Sequence, residues 1–135
     1  MNILFFLIPK DEVKFIYDDF SIRQLLEKLD IYKYSAIPIL DREGHYIDTI
    51  SEGDVLIYLK NHNNLNLKNS ENISIKEIEI RRRINSITIN SNMEDLLELV
   101  LSQNFVPVVD DMNHFIGIIT RKAVISHLAS QLKGE

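Results

Sequence analysis

The chain contains no cysteine in its 135 residues. A disulfide framework, a thiolate metal site and a cysteine nucleophile are therefore excluded. A reducing compartment fits that absence, and a cytoplasmic location is the expectation. Glycine is scarce, with four dispersed residues, so no glycine-rich loop is available to cradle a phosphate. Long hydrophobic runs are also missing. Residues 3–8 form a run of six apolar residues, far short of the roughly 20 that cross a bilayer. Pro9-Lys10-Asp11-Glu12 follows that run, without the basic lead or small-residue cleavage site of a secretory signal. It reads as an end segment packed onto the core, with no membrane partner. An excess of positive charge is lacking too. The formal charge is −5, which argues against broad attraction to nucleic acid. What remains is the composition of an ordinary globular protein, 45% hydrophobic and 26% charged.

Internal repetition organises the chain. Ala36-Ile37-Pro38-Ile39-Leu40-Asp41 and Phe105-Val106-Pro107-Val108-Val109-Asp110 share one pattern at an offset of 69. The register continues without a gap: His45 meets His114, Tyr46 meets Phe115, Ser51 meets Thr120 and Leu59 meets Leu128. Upstream the offset becomes 71, aligning Ile22, Leu25 and Leu26 with Met93, Leu96 and Leu97. The first copy thus carries two extra residues near residues 31–33, expected in a surface loop.

Each copy reads as strand, helix, strand, turn, strand, helix, an α/β (α+β) organisation of two β-α-β-β-α repeats. Residues 13–17 alternate and are rich in β-formers. Ser21-Ile22-Arg23-Gln24 is a capping box opening a helix with Ile22, Leu25, Leu26 and Leu29 on its apolar face. Residues 37–40 form an apolar strand with Pro38 at its beginning, and Asp41-Arg42-Glu43-Gly44 has hairpin-turn composition. Residues 51–60 form the second helix. The second copy repeats this order over residues 87–132. Residues 1–62 form repeat one, residues 63–73 an asparagine-rich polar linker, and residues 74–135 repeat two. Ser74-Ile75-Lys76-Glu77 is a further capping box and predicts a short helix. Neither half carries enough apolar area for a core of its own. The halves are expected to pack sheet to sheet as a pseudo-twofold module with a groove at their seam.

The duplicated unit, its apolar-Pro-apolar-apolar-Asp strand, and the segments Asp48-Thr49-Ile50-Ser51-Glu52-Gly53-Asp54 and Gly117-Ile118-Ile119-Thr120-Arg121-Lys122-Ala123 resemble the CBS-domain family. The resemblance implies a Bateman-type module that binds an adenine nucleotide as ligand, with no cofactor required. AMP, ADP, ATP and cyclic di-AMP are the expected class, the last because the chain is similar to two-CBS receptors of that dinucleotide. By that resemblance Ser51 and Asp54 take the ribose position of repeat one, with Tyr34, Ala36 and Ile37 at its base-binding edge. In repeat two, Thr120 matches and Phe105 and Val106 lie at the edge. Lys10, Arg82 and Arg83 precede the first strands and are placed for phosphate. Two departures stand out. Asp48 replaces the family's glycine, and Ala123 replaces the ribose aspartate, so Arg121 and Lys122 make the second site phosphate-leaning.

Local chemistry offers other roles for the same residues. Ser51 and Asp54 also read as a plain helix cap, and the two roles are compatible at a helix N-terminus. Arg81-Arg82-Arg83 reads either as a solvated basic turn or as a phosphate contact. His45 and His114 are expected as exposed turn residues sharing repeat ancestry, not as metal ligands. Asp18-Asp19 and Asp110-Asp111 fit turn chemistry better than acid–base catalysis. The expected function is a non-enzymatic sensor: a homodimer that binds nucleotide in the inter-repeat cleft and signals to a partner protein. The competing expectation is a scaffold of the same fold without a ligand.

Overall fold

A computed structural model describes residues 1–32 and 35–134. The chain divides into two compact units that do not follow the order of the sequence. One comprises Lys14–Arg83; the other joins residues 1–13 to residues 84–134.

The Lys14–Arg83 unit holds strand β2 (Ile16–Tyr17), helix α1 (Ile22–Tyr32), strands β3 (Ala36–Leu40) and β4 (Tyr46–Ser51), and helix α2 (Glu52–Lys60). Its sheet has the order β2-β3-β4, with β2 parallel to β3 and β4 antiparallel. Ser21 caps α1 reciprocally: its Oγ accepts the Gln24 N–H and Gln24 Oε1 accepts the Ser21 N–H. Apolar spacing along the helix then buries Ile22 and Leu25 against Ile37, Ile39, Ile50 and Val55. Pro38 lies in the middle of β3, not at its start. It is tolerated because β2 flanks only Ile39 and Leu40, so no ladder partner awaits a donor at position 38 on that side.

The second unit begins with the N-terminal segment. A 3₁₀ turn (Ile3–Phe6) and strand β1 (Ile8–Pro9) precede strand β5 (Ile87–Thr88), helix α3 (Met93–Val100), strands β6 (Phe105–Val109) and β7 (Phe115–Thr120), and helix α4 (Arg121–Leu132). The sheet order is β1-β7-β6-β5. Ile3 and Phe6 enter the core formed by Ile87, Leu96, Val106, Val108, Ile119 and Val124.

The two units repeat each other down to an irregularity. Register shifts between Ile39 and Leu40 against β4, and between Val108 and Val109 against β7. Both hairpin turns place a left-handed residue at the same point, Gly44 (φ 92°) and Asn113 (φ 65°). Glycine and asparagine are the residues that accept that backbone at least cost.

Each unit has a buried core of its own, against the expectation that neither half carries enough apolar area for one, because flanking segments add Ile3 and Phe6 to one and Ile75 and Ile78 to the other. Four further expectations need correction. The strand over residues 13–17 is shortened to β2, since Lys10–Glu12 form a 3₁₀ turn and Val13 belongs to the other unit. The added length of the first copy is not confined to a loop: α1 has 11 residues where α3 has 8. The short helix after Ser74 is a single 3₁₀ turn (Ile75–Glu77), with Ile75 and Ile78 buried and Ser74 Oγ accepting the Lys76 N–H. The asparagine-rich segment is folded, with Leu65 and Ile73 on the Lys14–Arg83 core and Asn66 and Asn69 exchanging side-chain bonds.

The hairpin turns account for His45 and His114, which are half-buried where exposure was expected. His45 Nδ1 lies 2.9 Å from Asp41 Oδ2, and His114 Nδ1 lies 3.1 Å from Asp110 Oδ2. Each aspartate also accepts the backbone N–H of its histidine. That backbone bond, helped by the imidazole and a further turn N–H, holds both carboxyls below their usual range. A carboxyl depressed in the fold stabilises it above the unfolded value of about 3.9 and loses that contribution as pH falls through the folded value. Carboxyl NMR titration is therefore expected to show Asp41 and Asp110 protonating at lower pH than in the unfolded chain. Both turns should loosen only below about pH 4. Midpoints equal to the unfolded value would contradict the clasp.

Candidate functional site

Each unit brings a strand start against a helix start. In the Lys14–Arg83 unit, Ala36 on β3 pairs with Ser51 on β4, and Ile37 pairs with Ile50. In the other unit, Phe105 pairs with Thr120 and Val106 with Ile119. The turn into each following helix is fixed the same way: Glu52 N–H donates to Ser35 O at 2.9 Å, and Arg121 N–H to Asn104 O at 2.8 Å. β2 and β5 run beside only the far ends of β3 and β6, so Ala36, Ile37, Phe105 and Val106 extend beyond them. Ile37 and Val106 are fully buried in the two cores. Only their backbone can face a ligand. Tyr34 lies outside the described residues.

The hydroxyls do structural work. Ser51 Oγ accepts the Asp54 N–H at 3.1 Å, and Thr120 Oγ1 accepts the Ala123 N–H at 3.1 Å. Asp54 completes a capping box, its Oδ2 accepting the Ser51 N–H at 2.9 Å. Its Oδ1 accepts the Arg81 N–H at 3.1 Å, and the residue is 5% exposed. Both carboxylate oxygens therefore already serve backbone donors. Ala123 offers no such return bond, so the α4 cap is one-sided. Asp54 also lines a cavity of about 180 Å³ with Tyr58, Asn61, His62, Glu77, Glu79 and Arg81 among its walls.

The basic residues are distributed crosswise. Lys10, which precedes the first strand of repeat one, belongs to the unit of repeat two, with Thr120, Arg121 and Lys122. Arg82 and Arg83, which precede the first strand of repeat two, belong to the unit of repeat one, with Ser51 and Asp54. Arg82, Arg83 and Lys122 are exposed, and Lys10 is half-buried. Arg121 is partly committed: its Nε donates to Val100 O at 2.7 Å, closing the end of α3. Asp48 carries a side chain where the second unit has Gly117, and an Arg83 nitrogen lies 3.6 Å from its carboxylate.

Three buried polar groups were not foreseen, one of them Ser70, whose hydroxyl donates to the Leu67 carbonyl. Gln103, 4% exposed, accepts the Asn85 N–H and donates to the carbonyls of Asn85 and Phe105, tying the approach to β5 to the start of β6. No spacing marks such a residue in advance. Thr49 shares a 2.7 Å bond with Tyr46 Oη, and burial drives the Tyr46 phenol upward. The Asp-x-x-x-His clasps of the turns were missed as well, although the shared spacing in both repeats was a signal that could have found them.

Among the described residues no helix is long and apolar enough to cross a membrane, and no group of three or more His, Asp or Glu is arranged to hold a metal. A protein of Methanocaldococcus jannaschii, uncharacterized MJ1426, is 26% identical over 145 residues, covering 84% of each chain. The crystal structure of CbpB in complex with c-di-AMP is 26% identical, with a TM-score of 0.85 over 98% of this chain and 87% of that one. The crystal structure of CBSX2 in complex with AMP shares the fold at 23% identity and a TM-score of 0.73, over 98% of each chain. The CBS domain model matches twice, over residues 7–61 and 75–130. With both repeats matched across most of its length, this chain belongs to the CBS domain family.

Proposed function

We propose that this chain is a non-catalytic regulatory CBS pair that binds an adenine nucleotide, with cyclic di-AMP foremost, and reports occupancy to a partner protein. The carrying observation is the repeated junction of strand start and helix start: Ala36 opposite Ser51, and Phe105 opposite Thr120. Directly opposed residues lie about 5 Å apart. A strand edge for a flat base and a helix N-terminus for an anion are thus held side by side. Exposed Arg82, Arg83 and Lys122 add cationic donors for phosphate. The similarity to CbpB, solved with c-di-AMP, supports that dinucleotide, whose two phosphates suit two unequal sites. The carboxylate beside the Ser51 junction, Asp54, is consumed by structure, which supports a binding role without chemistry. Self-association as a homodimer and a cytoplasmic location belong to the same proposal. A ligand acts on the partner only as far as it prefers one state of the protein over another.

Thermal-shift measurement with AMP, ADP, ATP, cyclic di-AMP and S-adenosylmethionine tests the proposal. At a hundredfold excess over Kd, a ligand stabilises by about 2.7 kcal/mol, roughly 10 °C for a chain of this size. One adenine nucleotide is expected to produce a saturable rise of that order. The variants Lys122→Ala and Arg83→Ala should weaken it without moving the ligand-free Tm. No rise with any of the five returns the chain to the scaffold reading.

A further inference from the structure

Two carboxylates of the Lys14–Arg83 unit hold the basic run at both its ends. Asp54 accepts the backbone N–H of Arg81 at 3.1 Å. Asp48, with its side chain 13% exposed, stands 3.6 Å from Nη2 of Arg83, whose own side chain is 77% exposed. Asp48 is itself fixed, because its Oδ1 accepts the Thr49 N–H at 2.8 Å. Its counterpart is Gly117, where a side chain would overlap the Ile8 carbonyl. The acid is therefore a feature of one repeat only.

We infer that Asp48 is an internal competitor for Arg83: with Asp54 it clasps the Arg81–Arg83 run, and a nucleotide phosphate takes Arg83 from it. This rests on the nucleotide reading. A guanidinium pairs with phosphate through two parallel bonds, whereas Asp48 offers one loose contact at 3.6 Å. With the guanidinium exposed and the contact loose, the pair restrains Arg83 weakly, so the competition is small and is screened by salt. Asp54 keeps its hold on the Arg81 backbone while the guanidinium changes partner. The basic run thus moves at one end only.

The test is Asp48→Asn, which keeps an acceptor for the Thr49 N–H and removes the charge. Titration with cyclic di-AMP and with AMP at low salt is expected to show affinity about two- to fivefold higher than wild type. The two proteins should converge at high salt. A purely structural role for Asp48 would predict weaker binding and no salt dependence. NMR of the Arg83 Nε–H signal supplies an arm that needs no nucleotide: Asp48→Asn should shift it in the free protein. Unchanged or weaker binding by Asp48→Asn overturns the inference, as does an unmoved Arg83 signal. If wild type binds neither nucleotide, the functional proposal falls, and the Arg83 signal decides whether the clasp exists.

Discussion

Replacing Gly117 by alanine is expected to lower the melting temperature by about 10 °C, a loss of about 3 kcal/mol from a typical margin of about 5–15 kcal/mol. The reason is local and double. Strand β1 crosses β7 at this point, with Pro9 opposite Gly117 and Ile8 opposite Ile118. A Cβ at residue 117 would overlap the Ile8 carbonyl oxygen and come within 2.9 Å of Leu7 Cδ1. Backbone cannot rotate away as a side chain can, so β1 must leave the sheet edge or the sheet must distort. The φ of 154° adds strain for any residue with a Cβ. Overpacking and strain together cost about 3 kcal/mol or more. Loss of β1 would also pull on Ile3 and Phe6, which fill the same core. Gly53 is the internal control, because a Cβ there meets only Ser51 Oγ at 3.6 Å. Gly53→Ala should leave Tm unchanged or raise it slightly, as alanine does in a helix. Equal melting of Gly117→Ala and wild type would show that β1 is not seated on β7.

Asp54→Ala is expected to cost about 2–3 kcal/mol, before any ligand is considered. Two backbone donors, Ser51 N–H and Arg81 N–H, lose their acceptor in a place with little access to water. The loss of the cap alone accounts for about 1 kcal/mol. Hydrogen exchange locates the damage: the amides of Ser51 and Arg81 should exchange faster, while those of α4, capped by Thr120, should not. Denaturant melts within 0.5 kcal/mol of wild type, on the order of an ordinary surface change, would show that the carboxylate is not structural. The consequence for function is practical. Asp54→Ala is a poor probe of ribose binding, since lost affinity could follow from a frayed α2. Lys122 and Arg83, both exposed, report on ligand contact more cleanly.

The duplication was legible because its marks are local. Pro38 and Pro107, Asp41 and Asp110, and Ser51 and Thr120 keep one register, and the structure adds the same bulge and the same turn in each copy. The exchange of flanking segments was not legible. Ile3 and Phe6 serve the core of repeat two, while Ile75 and Ile78 serve that of repeat one. Hydrophobic pattern says that such residues are buried, but it does not say against which core. The same gap moved Lys10 and the Arg81–Arg83 run to units opposite to their places in sequence. At the candidate site, spacing correctly marked Ser51 and Thr120 as helix starts. It could not tell a cap from a ligand, because one hydroxyl at one helix N-terminus satisfies both. Three-dimensional bonds narrow that choice for Asp54 and Arg121, whose polar atoms are drawn to Arg81 and to Val100. Asp48 is the reverse case. Its departure from glycine was plain in sequence, and its meaning came only with Arg83 at its side.

Isothermal titration of the purified chain with cyclic di-AMP, and with AMP in parallel, tests the central claim most directly. The account predicts saturable binding of at least one of them, weakened by Lys122→Ala or Arg83→Ala in variants that melt like wild type. The absence of heat and of competition for either nucleotide at concentrations up to about 1 mM, a binding free energy of about −4 kcal/mol, would contradict it.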